Sequence, residues 1–285
     1  MAPIKSSLVK SAGKLFGVFN QQDLSLRGAT QTLRLPDNRI TATGGAIATP
    51  GNGYRYHFIT APSQNFVVTD IGQDHPGSVE YFLVAGGGAG AGEYSTPNQV
   101  SGGGGGAGGV LTGPTPISIQ TYPISIGSGG AAPSAGRHGG SVGGNSTAFG
   151  VTAYGGGGGG RFPDGGGTSG GSGGGTGRRG TSTIYYGYNP STPGPVLSPV
   201  PLPSPYPITQ GYPGGLAGGT GNDGGGGGGG AGAAGSSGAT GDGGVGVAAF
   251  SGDTGIPSDY GDTGPSAGRW FAGGGGAGIN GGGSG

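Results

Sequence analysis

The chain has 285 residues, of which 83 are glycine, 31% are hydrophobic and 8% are charged, with a formal net charge of zero. So little apolar material excludes a conventional oily core along the whole length, and so sparse and balanced a charge offers no basic surface to nucleic-acid phosphates or anionic lipid. Cysteine is absent, so disulfides and thiolate metal sites are excluded as well.

The opening residues IKSSLVKSAGKLFGVF hold Lys5, Lys10 and Lys14, the only lysines of the chain. Leu8, Val9, Ala12, Leu15, Phe16 and Phe19 recur at helical spacing, which predicts a short amphipathic helix capped by Ser6 or Ser7. Gly13 and Gly17 each cost such a helix about 1 kcal/mol relative to alanine, so it needs a surface to dock on. That surface is either its own domain or a larger assembly. Lys10 and Lys14 interrupt the apolar run that an export signal requires. No run reaches the roughly 20 apolar residues of a bilayer span, so synthesis in the cytoplasm without membrane insertion is expected.

Residues 40 to 84 alternate apolar and polar positions in ITATGGAIAT, YRYHFIT, NFVVTD and VEYFLV, which predicts a small antiparallel sheet or sandwich. PGNG at 50 to 53 has the turn chemistry of a hairpin between two of these runs. In VEYFLV, Val79, Tyr81 and Leu83 share one face, and Glu80, Phe82 and Val84 the other. That strand then runs directly into GGGAGAG.

Glycine is confined to 9 positions before Gly86 and dominates afterwards, which divides the chain into residues 1–39, a small β domain at 40–85 and a glycine-rich domain at 86–285. YPISIG and FGVTAYG return to strand-like patterning inside the last of these, so the two parts are expected to interlock. The tracts at 86–92, 102–109, 155–160, 165–175, 224–235 and 273–283 read as flexible linker on composition alone. The alternative is that glycine is required because backbones meet too closely for a Cβ. Extended left-handed helices with three residues per turn leave every N–H and C=O pointing outward and can bond side by side. The expected fold is thus mostly β and irregular, with a short N-terminal helix, a small antiparallel sheet, and a bundle of polyglycine II-type helices with variable loops.

The inserts between tracts carry the side-chain chemistry. Tyr185, Tyr186, Tyr188, Tyr206 and Tyr212 lie in a stiff Pro-rich stretch, and Tyr260 with Arg269, Trp270 and Phe271 in the last insert. Rings on loops suit sugar faces or protein surfaces, or else they seal the sides of the bundle, with Trp270 and Phe271 the most buried. GxGxxG matches carry no weight in so glycine-rich a chain, and no GK[ST] follows any of them. GGTGND at 218–223 fits the start of a calcium-binding nonapeptide but occurs once and lacks the next apolar residue. His57, His75 and His138 are scattered, and Asp223, Asp242, Asp253, Asp259 and Asp262 read as turn chemistry. No catalytic residue, metal or cofactor is expected.

The succession VEYFLVAGGGAGAG, SGGGGGAGGV, YPISIGSGG and GGNSTAFGVTAYGGGGGG resembles the glycine-rich domain of bacteriophage tail-fibre and adhesin proteins, those of marine phages in particular, over roughly residues 40 to 175. IKSSLVKSAGKLFGVF followed by DLSLRG is similar to the opening of phage virion proteins. The resemblance implies a non-enzymatic virion protein, assembled in the host cytoplasm and exposed on the particle. Leu8, Val9, Leu15, Phe16 and Phe19 would attach it to other virion proteins. Tyr185, Tyr186, Tyr188, Tyr206, Tyr212, Tyr260 and Arg269 would face a host glycan or outer-membrane protein, and homo-oligomerisation stays open. A capsid decoration or head-fibre protein is the alternative. A cellular structural or ice-binding protein is a third, disfavoured by the long aromatic inserts.

Overall fold

The computed structural model describes residues 39–72, 77–92, 100–134, 138–161, 165–179, 210–218, 224–238 and 241–278. The predicted amino-terminal helix, with Leu8, Val9, Leu15, Phe16 and Phe19, lies outside them. Arg39–Gly285 forms one compact unit. The described part is built from short strands in small antiparallel sheets, one 3-10 turn at Ala249–Ser251 and long glycine tracts, with no α-helix among the described residues.

Strands β1 (Thr41–Thr43), β2 (Ala46–Ala48), β3 (Tyr56–Phe58), β4 (Ser63–Asp70) and β5 (Ser78–Val84) precede the first tract. The PGNG turn joins β2 to β3 in antiparallel register, Ile47 opposite His57, and Gly51 and Gly53 supply the positive φ values of 92° and 93° that the turn uses. Beyond the first tract come β6 (Val100–Ser101), β7 (Val110–Pro116), β8 (Thr121–Ser125), β9 (Ser146–Ala148) and β10 (Val151–Ala153). Strands from both sides of Ala85 share the main sheet, ordered β1-β4-β8-β9-β10: YPISIG returns to pair with the early strand β4, and FGVTAYG joins the same sheet through β9. Phe149 and Gly150, with φ of 51° and 78°, close the two-residue turn between β9 and β10, as hairpins of the primed type require. The Phe149 ring lies 5.3 Å from that of Tyr122 and 5.8 Å from that of Tyr81, which repays the strained backbone by burial.

The five-stranded sheet and the β5–β7 ribbon share one core, made of Ala42, Phe66, Val68, Ile124, Ala148, Val151 and Ala153 from the first and Tyr81, Leu83 and Leu111 from the second. The alternation read in VEYFLV is realised: Tyr81 and Leu83 are buried in this core, while Phe82 on the opposite face joins a second, aromatic cluster.

At Ala85 the hydrogen-bond repeat changes. The β5–β7 ladder ends with Val84 opposite Val110, and from there Ala85, Gly88 and Ala91 donate to the carbonyls of Gly109, Gly106 and Gly103 at 3.1, 2.8 and 3.0 Å. A ladder that advances by two residues thus becomes one that advances by three. A second series, Gly86, Ala89 and Gly92, donates to Gly144, Ser141 and His138 at 2.9 to 3.0 Å. The run 224–230 is buried throughout and engages all three directions: Gly226 and Gly229 donate to Thr176 and Gly173, Gly227 and Gly230 to Ser236 and Ala233, and Gly228 and Ala231 to Gly275 and Ala272. A Cβ on any glycine from 225 to 230 would fall under 3.0 Å from a neighbouring backbone atom. Close approach, not turn geometry, is therefore what demands glycine here.

Few side chains enter this region. Gln210, Ser146, Ser172 and Thr176 are its fully buried polar residues. Gln210 joins the sheet to the tracts: its amide accepts from the Tyr154 N–H at 2.8 Å and donates to the Thr152 carbonyl at 3.0 Å, and its own carbonyl accepts from Val110 at 2.9 Å.

Candidate recognition surface

The tracts have two ends. At one, Ala85, Gly109, Tyr154 and Gln210 are bonded to one another beside the strands. At the other, Gly92 bonds to His138, Gly103 to Gly160, Gly177 to Gly165, Gly218 to Gly224, Ala277 to Gly241 and Gly278 to Gly102, and β6 pairs with β11 (Arg178–Arg179). The residues that flank 93–99, 135–137, 162–164, 219–223 and 239–240 are gathered there. Arg179, from which the tyrosine- and proline-rich insert departs, and Gly278 are there too.

Of the candidate contact residues, Tyr185, Tyr186, Tyr188 and Tyr206 lie outside the described residues, as do residues 219–223 of the GGTGND stretch. Tyr212 is 42% exposed on the flank of the tracts, with its backbone held between Gly230 and Gly173. Tyr260 is half-buried and stacks on Phe58 with ring centroids 3.8 Å apart and planes 6° from parallel. Arg269 donates through Nε to the Tyr260 carbonyl at 3.0 Å and through its terminal nitrogen to the Ser258 carbonyl. Both residues hold the last insert in place.

That insert runs between β12 (Val247–Ala248) and β13 (Trp270–Phe271) and packs on the β2–β3 hairpin. Tyr56, Ala249 and Ile256 are buried at its centre, ringed by Phe58, Phe82, Phe250, Tyr260 and Phe271. Trp270 and Phe271 are half-buried rather than the most buried. The indole donates to the Ser266 carbonyl at 3.1 Å, and Gly264 lies against its face, where a Cβ would collide.

A polar clasp completes the contact. The Tyr56 hydroxyl donates to the Asp253 carboxylate and accepts from the Asn52 amide at 2.8 Å, and the Gly255 N–H donates to Asp253 at 2.7 Å. Asp253 does perform turn chemistry through Gly255, as the sequence indicates. Its second role, across 197 residues, has no local signal. The Tyr56 hydrogen bond, with that of Gly255, holds the Asp253 carboxyl below the ordinary carboxylate range, while burial and then the Asp253 hydrogen bond push the Tyr56 hydroxyl up. Tyr54 projects beside this clasp, 62% exposed, with its ring 6.3 Å from that of Tyr56.

His57 contacts the Gly44 carbonyl through Nδ1 at 2.9 Å and meets Phe66 edge-on, which makes it a strand-face residue. Among the described residues no three His, Asp or Glu side chains converge as a metal site would require, and no helix is long and apolar enough to cross a membrane.

The profile of a family described as a glycine-rich domain matches residues 60–285. No curated protein and no solved structure matches the chain.

Proposed function

The chain belongs to the glycine-rich domain family, and from that premise we propose that its tracts form a lattice of polyglycine II-type rods that scaffolds the recognition loops of a phage virion protein, a tail-fibre or adhesin component. The rod geometry is supported by the three-residue repeat of the bonds between tracts and by the absence of room for a Cβ between them, both properties of extended threefold backbones without internal hydrogen bonds. Ordering so much glycine carries a large entropic cost. The lattice offsets it by satisfying N–H and C=O groups that would be costly to bury unpaired.

The observation that carries the functional reading is the gathering of the flanks of 93–99, 135–137, 162–164, 219–223 and 239–240, with Arg179 where the tyrosine insert departs, at one end of the tracts, while Gln210, where that insert returns, is bonded at the strand end. Rods made of backbone cannot discriminate ligands by side chain, so specificity falls to the inserts, and loops held by a rigid scaffold are where binding residues concentrate. Tyr185, Tyr186, Tyr188 and Tyr206 are the proposed contacts to a host glycan or outer-membrane protein, without catalysis. Leu8, Val9, Leu15, Phe16 and Phe19 are the proposed attachment to the particle. The docking of Tyr260 and Arg269 into packing favours a capsid decoration or head-fibre protein as the second reading.

The test is adsorption of particles carrying Tyr185→Ala, Tyr186→Ala and Tyr188→Ala together. Loss of adsorption with an unchanged melting temperature supports recognition by the insert. Unchanged adsorption refutes it and leaves the decoration reading.

A further inference from the structure

We propose that Asn52 is a deamidation site that the Tyr56–Asp253 clasp keeps latent, and that its reaction loosens the last insert from the β2–β3 hairpin irreversibly. Asn52–Gly53 is one of two Asn-Gly pairs in the chain; the other, Asn280–Gly281, lies outside the described residues. In such a pair the Gly53 nitrogen, after losing its proton to solvent, attacks the carbonyl carbon of the Asn52 side chain. The new C–N bond closes a succinimide ring and the side-chain amide leaves as ammonia. Water then opens the ring to aspartate or isoaspartate. Glycine favours the closure because no side chain crowds the attacking nitrogen.

The turn itself leaves this chemistry open to water. Asn52 and Gly53 are both exposed, and a Cβ on Gly53 would meet nothing within 4 Å. The hold is on the leaving group. Asn52 Nδ2 donates to the Tyr56 hydroxyl at 2.8 Å and faces both Asp253 oxygens at 3.3 and 3.4 Å. To depart as ammonia that nitrogen must gain a proton, yet both partners act as acceptors toward it. The carboxylate has no proton to give, and the tyrosine donates its own to Asp253. At the other end of the amide, Oδ1 accepts from the Tyr54 N–H at 3.1 Å, an Asx turn. The side chain is thus pinned at nitrogen and oxygen, whereas ring closure must carry its carbonyl carbon to bonding distance of the Gly53 nitrogen. Reaction waits for the clasp to open, a local event that needs far less free energy than global unfolding.

The product cannot re-form the clasp. An ionised aspartate or isoaspartate has acceptors only, so the donations to Tyr56 and Asp253 are lost. A second carboxylate then stands beside Asp253, where like charges repel. Isoaspartate also lengthens the turn backbone by one carbon. The insert sits directly on this turn: Gly255 lies so close that a Cβ on it would collide with Asn52 Nδ2 and come 3.0 Å from Pro50. The change therefore acts where hairpin and insert touch, and it does not depend on what the other inserts recognise.

Peptide mapping by mass spectrometry tests this on the full chain incubated at neutral pH, read for conversion of Asn52 to aspartate and isoaspartate. The wild type in urea sets the unguarded rate, and the folded wild type is expected to convert at least about tenfold more slowly. Tyr56→Phe keeps the ring in the core and Asp253→Ala alters only the polar side. Each is expected to speed conversion in the folded chain at least about tenfold. Asn52→Asp reproduces the product, and Trp270, the only tryptophan of the chain and part of the strand that closes the insert, reports the docking. Its emission is expected to shift and the amides of 252–269 to exchange faster, while β4 and β8 stay protected. A folded wild type that converts as fast as the chain in urea overturns the proposal. So do clasp variants no faster than the wild type, an Asn52 that stays intact even in urea, or Asn52→Asp with wild-type Trp270 emission and exchange.

Discussion

A methyl group placed on the α-carbon of Gly228 would lie under 3.0 Å from the carbonyl oxygen of Gly105, although the two residues are more than a hundred positions apart in sequence. The side chain is missing so that the two backbones can touch. Gly228→Ala should therefore cost at least about 3 kcal/mol, because overpacking and unpaired backbone groups add. Gly87→Ala, where the space is open, should be neutral or stabilise by about 0.4–1 kcal/mol through the unfolded chain. Urea unfolding of the two variants in parallel checks the contrast. Equal effects would mean that glycine is needed for flexibility rather than for proximity.

Gln210 should be the most sensitive side chain at the junction of sheet and tracts. Gln210→Leu fills similar space but leaves the Tyr154 N–H and the Thr152 carbonyl without partners. At about 1–3 kcal/mol for each buried group, the loss is about 2–6 kcal/mol. Denaturant midpoints that move by less than a tenth of this would show that water reaches the junction.

The Tyr56–Asp253 clasp predicts two limbs in the pH dependence of stability. Asp253 titrates below its unfolded value, so its contribution is present above about pH 4 and disappears as pH falls through the lowered folded value. Tyr56 titrates above its unfolded value, so its contribution is present below about pH 10 and disappears as pH rises through the raised value. Tyr56→Phe should shrink the alkaline limb to the part left by Tyr81, whose hydroxyl burial also pushes up, and move the acid limb toward the ordinary carboxylate range. Melting temperatures from pH 2 to 11, on the scale of these ordinary values, decide it, and superimposable profiles for the two proteins would count against the clasp.

Tyr260 and the insert tyrosines should separate by readout. Tyr260→Ala removes a ring stacked on Phe58 and should lower stability by about 1–3 kcal/mol. Tyr186→Ala should leave the melting temperature in place and act on adsorption. Thermal melts paired with adsorption assays would contradict the assignment if both substitutions moved the same quantity.

The β part of this fold was legible because each strand announces itself locally. VEYFLV alternates, and PGNG provides the turn glycines that β2 and β3 need. The change of composition at Ala85 was legible, and the hydrogen-bond repeat changes at the same residue, although Arg39–Gly285 is one compact unit. Which tract bonds which was not legible, because tracts of glycine differ in nothing that could encode a register. Gln210 and Asp253 escaped for a related reason: each gains its role from partners far away in sequence, and each reads locally as an ordinary polar residue beside glycine or proline. Tyr260 and Arg269 were visible as an exposed-looking aromatic and cation, yet the hairpin that takes up the Tyr260 ring lies some two hundred residues earlier, and Arg269 is bonded to the carbonyls of its own insert.

Amide hydrogen exchange across the run 224–230 tests the central claim most directly. If the tracts are a bonded lattice, the amides of Gly226, Gly227, Gly228 and Gly229, each paired to a carbonyl outside the tract 224–235, exchange as slowly as the core strands at Leu83 and Val110, through global unfolding. Exchange of these amides at the rate of an unstructured glycine peptide, while β5 and β7 remain protected, would contradict it and return the tracts to the status of linker.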